Sequence, residues 1–155
     1  MTITLNDFAR RQAAFAMLNK RAGFDDADVA MLRRLIEETG SISREEADQL
    51  FAAARGQGAR PASWMGFFIE AITDHVVWQC RPTGVVNESQ AEWLIAQADL
   101  CAGLEGFGAL VNVLAEADRV PLWFVAAVRA RAARGAPGAA TAMALAAADE
   151  AALAA

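Results

Sequence analysis

With 155 residues and a mass of 16.5 kDa, the chain is the size of one ordinary domain, and folding at that length buries about 70% of the unfolded surface. A net charge of −5 and a pI near 4.9 argue against a nucleic-acid or anionic-membrane surface, both of which need a basic face. The chain is 55% apolar, much of it alanine. Tyrosine is absent and β-branched residues are sparse in the long apolar stretches, so composition predicts helices and leaves little to build a sheet from.

In chain order, the first helix is predicted over 4–20, opened by Thr4-Leu5-Asn6-Asp7, a short polar acceptor placed three residues before an acidic one. Asp25 and Asp26 start a second, with Val29, Leu32, Leu35 and Ile36 as its apolar stripe. Ser43-Arg44-Glu45-Glu46 is a capping box, followed by the stripe Ala47, Leu50, Phe51 and Ala54. Pro61 suits the first turn of the next helix. From there to Cys80 the residues Trp64, Phe67, Phe68, Ile69, Ile72, Val76, Val77 and Trp78 wrap most of the circumference, which predicts a central, largely buried helix. That stretch is broken by Glu70, Asp74 and His75 and is too short to span a bilayer. Asn87-Glu88-Ser89-Gln90 opens a further helix with the stripe Ala91, Leu94, Ile95 and Ala98; Phe107, Leu110, Val111 and Leu114 form another, and Pro121 opens the last.

The breakers recur in order. Gly23, Gly40 and Pro61 with Trp64 are followed, about sixty residues later each time, by Gly84, Gly103 and Pro121 with Trp123. The expected fold is therefore all-α, a compact bundle of about seven to eight helices built from two tandem helical repeats with EF-hand-like turns. A single domain over 1–135 would comprise an N-terminal helix (4–20), repeat one (23–80) and repeat two (84–134), followed by an alanine-rich terminal helix or tail over 136–155.

The segment from Glu37 to Glu46 has the shape of a degenerate calcium loop, with Gly40, an apolar Ile42 two places on, and Glu46 six places beyond the glycine. A calcium loop begins with an oxygen ligand five residues before that glycine, where this chain has Leu35. Paired helices joined by a Gly-x-Ile-Ser-x-x-Glu turn, in two related halves, resemble the TerB-like (tellurite-resistance) helical domains over about residues 23–118 and, more distantly, EF-hand pairs. The stretch Trp64 to Asp74 is also similar to one in bacterial helical proteins, a likeness that implies no activity. The TerB-like resemblance implies a metal-linked stress response with acidic ligands near such turns. Glu37, Glu45 and Glu46 match that pattern here, whereas the second half has Glu88 and Glu105 without a comparable cluster.

A second acidic candidate comes from spacing. Glu70 and Asp74 are four apart and share one face of an apolar helix, where paired carboxylates could bind a metal or carry a raised pKa. The sole histidine, His75, points about 100° away from Asp74 around a helix, so a histidine bonded to a backbone carbonyl is the plainer reading. Trp64, Trp78, Trp93 and Trp123 read first as core anchors, and any of them exposed in a groove would mark an interaction surface. No nucleophile elbow, dinucleotide fingerprint or phosphate loop occurs. Cys80 and Cys101 are not in metal or redox spacing, and the N-terminus lacks an apolar signal core, so buried free thiols and a cytoplasmic location are expected.

The leading expectation is a non-enzymatic helical module or complex subunit that binds a protein partner or itself, without a cofactor, a nucleic-acid partner or a membrane span. The alternative is a TerB-like metal-binding stress-response protein using a divalent metal. An enzyme built on Glu70, Asp74 and His75 is the third reading.

Overall fold

A computed structural model of the chain describes residues 5–20, 23–56 and 58–135. Among them are seven α-helices: α1 (Leu5–Lys20), α2 (Asp26–Thr39), α3 (Arg44–Arg55), α4 (Ser63–Thr73), α5 (Glu88–Asp99), α6 (Leu104–Glu116) and α7 (Leu122–Gly135). A π-helical turn, Asp74–Trp78, continues α4. The described residues contain no strand, only an isolated parallel bridge between Val85 and Arg119. None of their helices is long and apolar enough to cross a membrane. Thr4 and the alanine-rich segment over 136–155 lie outside the described residues.

Local chemistry sets the helix starts. Asp25, Ser43 and Asn87 each accept the backbone N–H three residues on, while the side chain of Asp28, Glu46 or Gln90 bonds back to the cap's own N–H. Each such reciprocal pair satisfies two amides that a helix start leaves without partners. Gly40 ends α2 in the left-handed region with φ of 75°, its N–H bonded to the Ile36 carbonyl, a conformation that glycine adopts without steric cost.

Helix α4 runs parallel to α2, and α7 to α5. Between α2 and α4, Ser63 donates to Asp26 at 2.5 Å and Arg33 to Glu70 at 3.0 Å. Between α5 and α7, the Trp123 indole donates to Glu88 at 2.6 Å, and Arg131 forks onto Asp99 through two 2.6 Å bonds. At the centre α6 lies along α4 in the same direction: Gly108 sits under Ile69, Asn112 donates to Thr73 at 2.8 Å, and Trp78 to Glu116 at 3.0 Å. A single core results, in which Phe15, Leu32, Leu50, Phe51, Trp64, Phe68, Ile72, Leu94, Leu110, Leu114 and Phe124 are all fully buried. Edge-to-face contacts of Phe51 with Phe68 and Trp93, at 5.0 and 5.6 Å between ring centres, join α3 to α4 and α5.

The expected continuous helix to Cys80 is corrected at its end. From Asp74 the register widens, Gln79 N–H bonding the Asp74 carbonyl at 2.8 Å, the wider spacing of a single π turn. Beyond the turn the Gly84 N–H reaches back to the Val77 carbonyl at 2.7 Å, and its carbonyl accepts from the backbone N–H groups of Asp118 and Arg119. Gly84 has φ of 81°, and a Cβ there would meet the Asp118 carboxylate at 2.3 Å. No side chain fits. The wider register also brings Cys80 onto residue 75, so that its Sγ donates to the His75 carbonyl at 3.2 Å; a helix of ordinary pitch would separate them.

Candidate functional site

The acidic residues picked out by sequence fall into two groups on opposite sides of the α2–α3 turn. Glu37, Glu70 and Asp74 line one groove, of about 190 Å³, with Arg33, Gly40 and Phe67. Glu45 and Glu46 line another, of about 430 Å³, between α1 and the turn. In the first groove Arg33 already pairs with Glu70 at 3.0 Å while lying 5.5 Å over the Phe67 ring. Burial, and then the like charges of Glu70 and Glu116, push the Asp74 carboxyl above the usual carboxylate value. Among the described residues no three or more His, Cys, Asp or Glu side chains are gathered so as to hold a metal ion.

His75 serves the turn. Its buried ring presents Nδ1 3.2 Å from the Ile42 carbonyl, and Gln79 accepts from the Ile42 N–H at 3.1 Å, so both polar groups of that backbone unit are held by the π turn and the residue after it. Burial pushes the imidazole below its ordinary pKa, with help from the nearby Arg44 charge and against the bonds to Gln79 and Ile42 and the Asp48 charge. Neutral imidazole donating from Nδ1 fits this setting.

In the second groove the organising group is Arg11, which sequence reasoning missed. The nearly buried guanidinium donates to five oxygens: Leu35 O (2.6 Å) and Thr39 Oγ1 (2.9 Å) from Nη1, Ser41 O (2.6 Å) and Glu46 Oε1 (2.9 Å) from Nη2, and Glu46 Oε2 (2.5 Å) from Nε. Glu46 Oε1 also accepts the Ser43 N–H of the capping box. The available signal was the position of Arg11 on the stripe Arg11, Ala14, Phe15, Leu18, all buried on one face of α1. A charge on an apolar stripe needs a partner. Toward the start of α1, Leu5 (87% exposed) and Phe8 (52%) project to solvent, and Phe8 also lines this groove with Gln12, Ile42 and Gln49.

The four tryptophans divide. Trp64 is buried, edge-on to Phe24 at 4.8 Å, and Trp93 is half-buried, with its indole N–H on Asp48 and Arg44 stacked 4.3 Å above it. Trp78 and Trp123 are 41% and 38% exposed. Both free thiols are half-buried, less covered than expected, and burial pushes the Cys101 thiol up. A third groove, of about 390 Å³, lies at the α5–α6 turn with Asp99, Leu104, Phe107 and Arg131 in its wall.

No family model, curated protein or solved structure matches the chain. Its chemistry has to be read from its own geometry.

Proposed function

We propose that the chain is a non-enzymatic helical protein–protein interaction module that pairs with a second copy of itself through the face formed by α1 and the α2–α3 turn. The observation that carries this reading is the exposed pair Leu5 and Phe8 beside the 430 Å³ groove. One face thus offers an apolar ridge and a groove, the self-complementary combination that a two-fold interface uses. Apolar side chains of this size left in water are the usual anchors of such contacts. The half-buried free thiols of Cys80 and Cys101 support a reducing, cytoplasmic setting.

The architecture supports two further parts of this reading, a tandem duplication and EF-hand-like turns. In both halves the outer helices run parallel and are joined at two levels, by Asp26–Ser63 and Arg33–Glu70 in one and by Glu88–Trp123 and Asp99–Arg131 in the other. The Gly40 turn carries the left-handed glycine and the capping glutamate of such a loop; its counterpart near Gly103, with φ of −90°, does not.

Light scattering of the full chain over a concentration series tests the module. A mass that rises toward twice that of the chain supports it. A strict monomer across the series rejects it. The alternative, a TerB-like metal-binding stress-response protein, draws support from the like-charge crowding of Asp74 by Glu70 and Glu116. Calorimetric titration with calcium, magnesium, zinc and manganese would show saturable heat lost in Asp74→Ala, and silence would dispose of it.

A further inference from the structure

We propose that residues 139–155 fold back as a helix onto the groove at the α5–α6 turn of the same chain, with Met143 as the side chain that enters it. The groove, of about 390 Å³, is walled by the small residues Ala98, Ala102 and Gly103 and by the apolar Leu104 and Phe107. Leu104 is left 72% exposed there. The two charged residues in the wall, Asp99 and Arg131, neutralise each other through paired 2.6 Å bonds. Such a surface suits an uncharged occupant with small side chains, because a charge covered there would find no partner.

The chain supplies one at the right place. Arg131 stands in the groove wall about one turn before Gly135, where α7 ends. From Ala136 to Ala148 the sequence carries no charged residue, and alanine predominates. Pro137 and Gly138 are residues that stop a helix from continuing, and short connections of this kind join antiparallel helices. A return turn centred on Pro137 brings residue 143 level with residue 131, and residue 143 is methionine. Methionine is unbranched and adapts to irregular gaps. Alanine favours helix, but most helical stability in proteins comes from packing one face against a partner. Small side chains on both surfaces allow that packing to be close. The groove shares no residue with the one beside α1, so the inference is independent of self-association through that face.

Alkylation of Cys101, which lines the same groove, tests this. N-ethylmaleimide is applied to the full chain carrying Cys80→Ser, so that Cys101 is the sole thiol, with folding checked by far-UV circular dichroism. Met143→Glu should raise the rate roughly tenfold or more, because burial of one methionine side chain supplies most of what holds such a segment down. Ala155→Glu should leave the rate unchanged. The carboxylate that Met143→Glu adds would by itself disfavour the reactive thiolate, so acceleration reports uncovering and not charge. From the other side of the contact, Leu104→Glu should speed elastase cleavage within 136–155, followed by mass spectrometry. A rate indifferent to Met143→Glu, or raised equally by Ala155→Glu, overturns the proposal, as does trimming indifferent to Leu104→Glu. Protection of Cys101 that fades on dilution also overturns it, since a second copy would then be supplying the segment.

Discussion

Arg11 and Glu46 meet fork to fork across 35 residues of chain, Nε on Oε2 at 2.5 Å and Nη2 on Oε1 at 2.9 Å, with side chains only 10% and 14% exposed. This pair fastens α1 to the start of α3. Removing one partner strands a nearly buried charge, which typically costs about 3–5 kcal/mol, whereas an apolar pair of similar volume can be close to neutral. Urea unfolding should therefore show Arg11→Met losing about 3 kcal/mol or more, with Arg11→Met/Glu46→Leu recovering at least half. Equal losses in single and double variants would mean that the backbone carbonyls, not Glu46, are the partners that matter.

Two helical glycines should respond to alanine with opposite signs. A Cβ on Gly106 would lie 2.7 Å from the Ala98 carbonyl oxygen and 3.1 Å from its Cα, backbone atoms of α5 that cannot swing aside. Gly106→Ala is expected to cost about 1–3 kcal/mol through overpacking. Gly66 is exposed in α4 and nothing stands within 4 Å of its added Cβ, so Gly66→Ala should gain roughly 0.5–1 kcal/mol. Urea midpoints of the two variants moving the same way would contradict this packing.

Acid should loosen the fold through His75. Its folded pKa lies below the ordinary 6.5, so the unfolded chain binds the proton more readily. The associated stability is complete above 6.5 and is lost as pH falls from there toward the lowered folded value. Asp74 runs the other way. Its folded pKa lies above 3.8, so its ionised form opposes folding once pH rises through the raised value, and the opposition is absent below 3.8. Thermal midpoints should therefore show Asp74→Asn stabilising at neutral pH but not in strong acid, and His75→Gln flattening the decline below 6.5. A decline unchanged in His75→Gln would place the acid sensitivity elsewhere.

Local signals made most of the helices legible. Ser43 with Glu46 and Asn87 with Gln90 form the reciprocal caps that their spacing predicts, and the stripes through Leu32, Leu50, Leu94 and Leu110 became the core. His75 was also readable, its ring on the Ile42 carbonyl as its direction from Asp74 suggested. The π turn was not legible, because the apolar pattern through Val76, Val77 and Trp78 reads the same at either pitch. Nor was the occupation of Glu46 by Arg11. Period and propensity describe neighbours on one helix, and a bond spanning 35 residues leaves no mark in either. What sequence offered was a lone charge on the apolar face of α1, and its destination came only with the tertiary fold.

In the proposed assembly the face carrying Leu5, Phe8 and the adjoining groove pairs two copies of the chain. Sedimentation velocity of wild type beside Phe8→Glu, over a shared concentration range and with helix content checked by circular dichroism, tests it most directly. A wild-type dimer that becomes a folded monomer in Phe8→Glu is the predicted result. A wild type that sediments as a monomer at every concentration, or a dimer untouched by Phe8→Glu, would contradict it.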